Sequence, residues 1–233
     1  MTDKELLAIF EECDFTEFGL DEYENDEHII EKVIDNLIIP DNYKFDYNYG
    51  ASKLVISIWN EENKSKIDII KIPFKGQYIY KYSEEYDDWE EEIFQEYSHS
   101  GASKKWDYCE KEVINYNLAK EAEVDFCFAK TELVGYVHNY PIYKQQYVED
   151  TNAYDREDYS EEERKKTAKT CQNKNFYRIS NNWLSNVMTV YGEQYLIKLM
   201  DFIKENNICD LHDNNLGYHN GVPIIFDYSD FDD

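Results

Sequence analysis

The segment from Ile208 to Phe231, ICDLHDNNLGYHNGVPIIFDYSDF, concentrates the groups best suited to chemistry. Asp210 and Asn215 have four residues between them, and Asp227 closes the apolar run from Val222 to Phe226. Two carboxylates and an amide, held by a loop and a hairpin behind a long helix, can gather Mg²⁺ and a phosphoryl group. One carboxylate beside an acceptor hydroxyl orients it and takes its proton. The other, with an amide oxygen, suits a hard cation. Far upstream, Lys71 stands at the centre of the apolar run IDIIKIPF, and Glu110 and Glu112 lie in CEKEVINY.

The elements that must hold these residues can be read from hydrophobic periodicity. Residues 3–13 and 26–38 carry apolar positions at helical spacing, and Pro40 stops the second. Tyr43, Phe45, Tyr47 and Tyr49 alternate, Gly50-Ala51-Ser52 breaks the run, and Leu54, Ile56 and Ile58 alternate beyond it, which predicts strand–turn–strand. Residues 67–74 form a third strand with Lys71 in its middle. Residues 77–105, Tyr-rich and acidic, read as an irregular or partly helical insertion. Residues 106–122 read as a helix with Cys109, Val113 and Tyr116 on one side. Residues 126–137 and 141–148 read as two strands joined by His138-Asn139-Tyr140. Residues 150–175 are charged and apolar-poor and read as a mobile surface segment. One or two helices follow over 181–205, with Leu196, Leu199, Met200 and Ile203 as an apolar stripe, then a loop and a hairpin around Asn220-Gly221. The order predicts an α+β fold: a small antiparallel sheet with an embedded helix, followed by a helical lobe. The boundaries drawn are an N-terminal helical extension over 1–39, a sheet lobe over 40–148 with the acidic insertion at 77–105, and a helical lobe over 149–233.

Composition bounds the function. The chain has 233 residues, with 50 acids against 24 lysines and arginines and a formal charge of −26. So negative a surface repels phosphate backbones, which argues against direct nucleic-acid binding. The 16% aromatic content, with 22 tyrosines, separates the chain from disordered acidic sequences. Its five dispersed cysteines have no C-x-x-C spacing and read as reduced thiols. No apolar run has the length of a membrane span, and no signal-peptide core stands at the N-terminus. A cytoplasmic protein, of the producing cell or of a recipient host cell, is expected.

The ordered set of motifs resembles the protein-kinase-like superfamily. Ile208-Cys209-Asp210-Leu211-His212-Asp213-Asn214-Asn215 is similar to the H-G-D-L-H-x-x-N catalytic loop of the aminoglycoside and choline kinase branch, and to the D-x-x-x-x-N of protein kinases. The resemblance implies a two-lobe fold with a truncated helical C-lobe. It implies Asp210 as catalytic base, Asn215 and Asp227 as ligands of Mg²⁺, and Lys71 as the lysine that contacts the phosphates of ATP. Glu112 would be the partner of Lys71, with Glu110 the alternative. Gly50 would lie in the phosphate-facing turn. Gln145 to Val148, Gln146 and Val148 among them, would line the adenine site.

The sequence departs from that pattern at several points. The turn at Tyr49–Ser52 has one glycine, the D-F-G position reads Asp227-Tyr228-Ser229, and Cys209 stands where protein kinases have Arg. No activation segment or A-P-E element follows Asp227. The peptide-substrate platform of an ordinary protein kinase is therefore expected to be absent, as in compact secreted effector kinases.

Two function classes follow. One is a compact Mg-ATP phosphotransferase acting on a hydroxyl. The other is a non-catalytic interaction protein whose acidic surface occupies a basic partner, as an inhibitor or nucleic-acid mimic. His212 and His219 lie seven apart, but zinc would need a third ligand, and bracing of the catalytic loop is the simpler role for His212.

Overall fold

The computed structural model describes residues 1–21, 28–50, 52–63, 66–83, 88–96, 107–149, 159–171, 179–208 and 210–229. In chain order the elements are α1 (Asp3–Ala8), β1 (Gly19–Asp21), α2 (His28–Asp35), β2 (Tyr43–Tyr49), β3 (Lys53–Asn60), β4 (Ile67–Pro73), β5 (Gly76–Ser83) and β6 (Asp88–Glu96). Then come α3 (Tyr108–Glu121), β7 (Thr131–Val137), β8 (Tyr140–Gln145), α4 (Glu161–Cys171), α5 (Asn181–Tyr191), α6 (Glu193–Glu205), β9 (Leu216–His219) and β10 (Val222–Ile225). The fold is α+β, and its described residues form two compact units. The first is drawn from Met1–Cys109 and Glu132–Gln145, the second from Glu110–Thr131 and Gln146–Phe231.

The first unit is built on a five-stranded antiparallel sheet in the order β2-β3-β4-β8-β7. Strand alternation sends Leu54, Ile56 and Ile58 of β3 to one face. Ile72 and Ile70 of β4 pair with Leu54 and Ile56, and all five side chains are buried together. Residues 1–39, read as an N-terminal extension, share this core through Leu6, Ile9, Phe10, Ile30 and Val33. A Thr2–Glu5 capping box starts α1. The β7–β8 hairpin turns through His138 and Asn139, both at positive φ, as a two-residue turn of this hand requires.

The second unit is mainly helical. Its core gathers Trp183, Leu184 and Val187 of α5, Leu196, Leu199 and Ile203 of α6, and Leu216, Tyr218 and Ile225 of the β9–β10 hairpin. Gly192 at φ +90 separates α5 from α6. The hairpin turns through Asn220 and Gly221, again at positive φ. No helix among the described residues is long and apolar enough to cross a membrane.

Three expectations need correction. The insertion at 77–105 is neither irregular nor helical over its described part. β5 and β6 form an antiparallel hairpin, and β5 also pairs in parallel with β1. Propensity pointed away from strand because Glu90, Glu91 and Glu92 crowd β6. Pairing overrides it, and the register sets Lys81 opposite Glu91. The parallel pair is tight: a Cβ at Gly19 would strike the carbonyl of Gly76.

The segment 150–175 is not simply a mobile surface, because it contains α4. That helix opens on a reciprocal Ser160–Glu163 cap, adds a Lys165–Glu161 ion pair at 2.6 Å, and docks through a buried Thr167–Ser185 hydroxyl contact at 2.8 Å. Third, α3 does form, but it buries Glu112, Asn115 and Ala119 beside Cys109. Ile114 and Leu118, each 37% accessible, face out, and Val113 and Tyr116 are only partly covered. The motifs at 98–105 and 150–158, Cys209 and the terminal acids from 230 lie outside the described residues.

Candidate functional site

The loop that carries Asp210 is pinned on both sides. α6 ends as Ile208 returns its N–H to the carbonyl of Ile203, with Asn207 at positive φ. Ile208 and Leu211 are buried in the core of the second unit, while Asp210 keeps access to solvent. A single 3-10 turn follows over Asp213–Asn215. His212 caps it, Nδ1 accepting the N–H of Asn214 at 3.2 Å, and Nε2 lies 3.6 Å from Asp210 Oδ1. Asp213 accepts the N–H of Ser180 at 3.0 Å, which ties the start of α5 to this turn.

The turn brings Asn215 back onto Asp210. The Asn215 side-chain amide donates to the Asp210 carbonyl at 2.6 Å and lies 3.4 Å from Oδ2. Its nitrogen is thereby engaged, and its oxygen is left as the group able to meet a cation. The backbone carbonyl of Asn215 accepts the N–H of Phe226 at 3.0 Å. The residue after Asn215 and the residue before Phe226 are paired across the hairpin, Leu216 with Ile225. Asp210, Asn215 and the Phe226–Asp227 junction therefore belong to one hydrogen-bonded assembly. Asp227 is partly exposed, with Ser229 Oγ 3.4 Å from Oδ1.

The residue after Asp227 is held deeply. Tyr228 is fully buried, packs edge-on against Phe128, and donates its hydroxyl to the Ala129 carbonyl at 2.6 Å. That hydroxyl lies 3.2 Å from Thr131 Oγ1, which donates to Glu112 Oε2 at 3.0 Å. Asn115, one helical turn after Glu112, donates to the Tyr228 carbonyl at 2.8 Å. Every member of this chain is buried, so each polar group needs the bond it makes. The network connects Glu112 on α3 to the backbone next to Asp227. Asn115 and Thr131 were not singled out from the sequence, and Tyr228 stood out only as the residue at the phenylalanine position of D-F-G. The spacing of Glu112 and Asn115, three apart on one helix face, was the available signal.

Of the remaining candidates, Glu112 is 0% accessible and Glu110 is partly covered. Lys71 belongs to the first unit and is 3% accessible. Its strand neighbours Ile70 and Ile72 enter the apolar core, and Lys71 sits in register between Val55 and Tyr143. A lysine buried to this degree is uncommon. Tyr143 donates its hydroxyl to the buried Asp107.

Gln146 donates its N–H to the Lys130 carbonyl at 2.8 Å, and its side-chain oxygen accepts the N–H of Lys130 at 3.4 Å. Val148 is buried with Ala129 and Ile224, beside Phe226, in a small apolar cluster. Gly50 is less suited to its expected part. Its N–H is used by the Lys53 carbonyl at 3.1 Å, and a Cβ there would meet nothing within 4 Å.

Among the described residues no three or more His, Cys, Asp or Glu side chains converge as a metal-binding group. A magnesium site on nucleotide phosphates does not need one. Mg²⁺ keeps several waters and takes one or two protein oxygens with the phosphates. A carboxylate and an amide oxygen, as in Asp227 and Asn215, are a fitting donor set. Comparison of the sequence with protein-family models gave no match, and comparison with curated proteins gave none.

Proposed function

We propose that this protein is a magnesium-dependent ATP phosphotransferase on a minimal kinase-like fold, passing the γ-phosphate to a hydroxyl of a protein or small molecule. The observation that carries the reading is the assembly of Asp210, Asn215 and the Phe226–Asp227 junction through the Asn215 side chain and carbonyl. The element order adds support. After α1, β1 and α2, three antiparallel strands run in succession with a buried lysine on the third, and the β5–β6 pair comes next. A helix with a buried glutamate follows, then a hairpin whose second strand joins the third.

In this proposal Asp210 orients the acceptor hydroxyl and takes its proton. The Asn215 amide oxygen and the Asp227 carboxylate would hold Mg²⁺. When bound, the ion neutralises phosphate charge and orients the triphosphate. Lys71 would supply positive charge to the phosphates, as the resemblance implies. Val148, which the resemblance puts at the adenine site, lies in an apolar cluster with Ala129 and Ile224.

The test is the transfer of label from γ-labelled ATP to the protein itself, to water or to acceptors in an extract. Asp210→Asn is expected to retain nucleotide and slow transfer about 100-fold or more. Equal rates in wild type and variant would remove the base assignment.

The commitment of the Gly50 N–H to Lys53 favours a second reading, since that turn then offers one phosphate donor fewer. In it the same scaffold is non-catalytic and binds a basic partner. Nucleotide binding that ignores Mg²⁺, or none at all, would favour it.

A further inference from the structure

The second unit carries a built aromatic surface that the phosphotransfer proposal does not use. Phe126, in the turn Asp125–Cys127 after α3, is 64% accessible. It stacks on Tyr191 at a centroid distance of 6.5 Å and tilts against Tyr195 at 6.4 Å. The two tyrosines stack on each other at 4.6 Å. Tyr191 ends α5 and Tyr195 lies in the first turn of α6. The bend at Gly192, at φ +90, brings the two rings together.

Both hydroxyls are tied back to the same turn. Tyr191 donates to the Phe126 carbonyl at 3.1 Å. Tyr195 donates to the Val124 carbonyl at 2.7 Å and accepts the N–H of Cys127 at 3.2 Å. Burial raises both phenols well above their ordinary range and pushes the Cys127 thiol up to about 12, so all three stay neutral. The result is a rigid, uncharged ring platform with one face open, not a collapsed core cluster. Ordering its side chains on binding costs little, because they are already fixed.

The immediate rim is acidic. Asp125 precedes Phe126, and the exposed Glu193 lies between the tyrosines, with Thr170 Oγ1 3.4 Å from its Oε1. Glu123 is held below the ordinary glutamate range by the hydrogen bond and charge of Lys198, at 2.9 Å. Lys198 is thereby paired with a rim carboxylate. The chain as a whole carries −26.

We propose that this platform is a docking surface for an arginine side chain on a basic segment of a partner protein. A guanidinium is planar. It lies flat on an aromatic face and can also fork to a neighbouring carboxylate, which an ammonium does less well. The exposed Phe126 ring offers the face, and Asp125, next to it in sequence, and Glu193, between the two tyrosines in sequence, offer carboxylates. The inference is independent of nucleotide binding.

The test is calorimetry of the full chain with an N-acetylated arginine-rich octapeptide and its lysine counterpart, at about 0.15 M ionic strength to screen the general field. The arginine peptide is expected to bind more tightly. Phe126→Ala should weaken it about tenfold and remove most of the preference for arginine, with Glu193→Gln weakening it less. Thermal stability should be nearly unchanged in Phe126→Ala, because most of the ring is already in water.

Equal affinity for the two peptides, no binding by the wild type, or unchanged affinity in Phe126→Ala would each overturn the proposal. Sedimentation completes the test. Self-association that Phe126→Ala abolishes would make a second copy of the chain the occupant and would also overturn it.

Discussion

Two helices, α3 and α6, are held in place by different physics. α6 buries Leu196, Leu199, Met200, Phe202 and Ile203 and turns its charges outward, so hydrophobic burial fixes its rotation. α3 buries Glu112 and Asn115 and leaves Ile114 and Leu118 accessible. Hydrogen bonds to Thr131 and Tyr228 hold this polar part of its buried face, which also carries Cys109 and Ala119. The buried face of α3 is therefore mixed, and its polar members lead to the backbone beside Asp227.

The contrast can be broken most readily from the α6 side. Leu199→Ala should cost about 2–5 kcal/mol, read as a lower urea midpoint with an unchanged slope, because the side chain is wholly buried. A loss well under 1 kcal/mol would mean that α6 is not held by burial.

The first unit offers a buried acid with charged partners for comparison. Asp68 lies 2.8 Å from the Met1 amino group and 2.7 Å from Lys144. Burial alone would raise its carboxyl. The Lys144 and amino-terminal hydrogen bonds and charges more than offset this and hold it below the ordinary value. A lowered folded value means stability that is full above about pH 4, the ordinary aspartate value, and lost as pH falls through the folded one. Asp68→Asn should cost about 1.5–3 kcal/mol at pH 7, and the gap from wild type should close in acid. A gap that widens in acid would reverse the sign of the linkage.

Tyr228→Phe keeps the ring and removes the hydroxyl that reaches Ala129 and Thr131. It should cost about 0.5–1.5 kcal/mol by denaturation. It should also weaken Mg²⁺-dependent nucleotide binding, because Asp227 is the preceding residue. Lost stability with unaltered Mg²⁺ dependence would make the network structural alone. Smallest of all, Ile114→Lys should change stability by no more than about 0.5 kcal/mol. A large loss would show that the outer face of α3 is not free, and the contrast with α6 would fail.

The same contrast explains what was legible in the sequence. α5, α6, β2, β3 and β4 announce themselves because their apolar period matches their burial, and the Asn220-Gly221 turn needs only its own two residues. Asp210, Asn215 and Asp227 were legible as a spaced set, and the Asn215 hydrogen bonds join the first two. The β5–β6 hairpin was not, since Glu90, Glu91 and Glu92 hide the strand signal of β6, and β5 finds its second partner, β1, far upstream in sequence. α4 was hidden because its docking contact is a hydroxyl pair, Thr167 with Ser185, rather than an apolar stripe. The inward face of α3 escaped for a related reason. The Glu112–Asn115 spacing was the one faint signal, and Thr131 and Tyr228 give no hint of joining it until the fold brings them together.

The central claim is that the loop and hairpin around Asp210, Asn215 and Asp227 bind a nucleotide through magnesium. Calorimetric titration of the full chain with ATP, with and without Mg²⁺, in wild type and Asp227→Ala, tests it most directly. The account predicts saturable binding that needs Mg²⁺ and is lost in Asp227→Ala, with the thermal midpoint of the variant close to that of wild type. Absence of binding to wild type, or binding indifferent to both Mg²⁺ and Asp227, would contradict it.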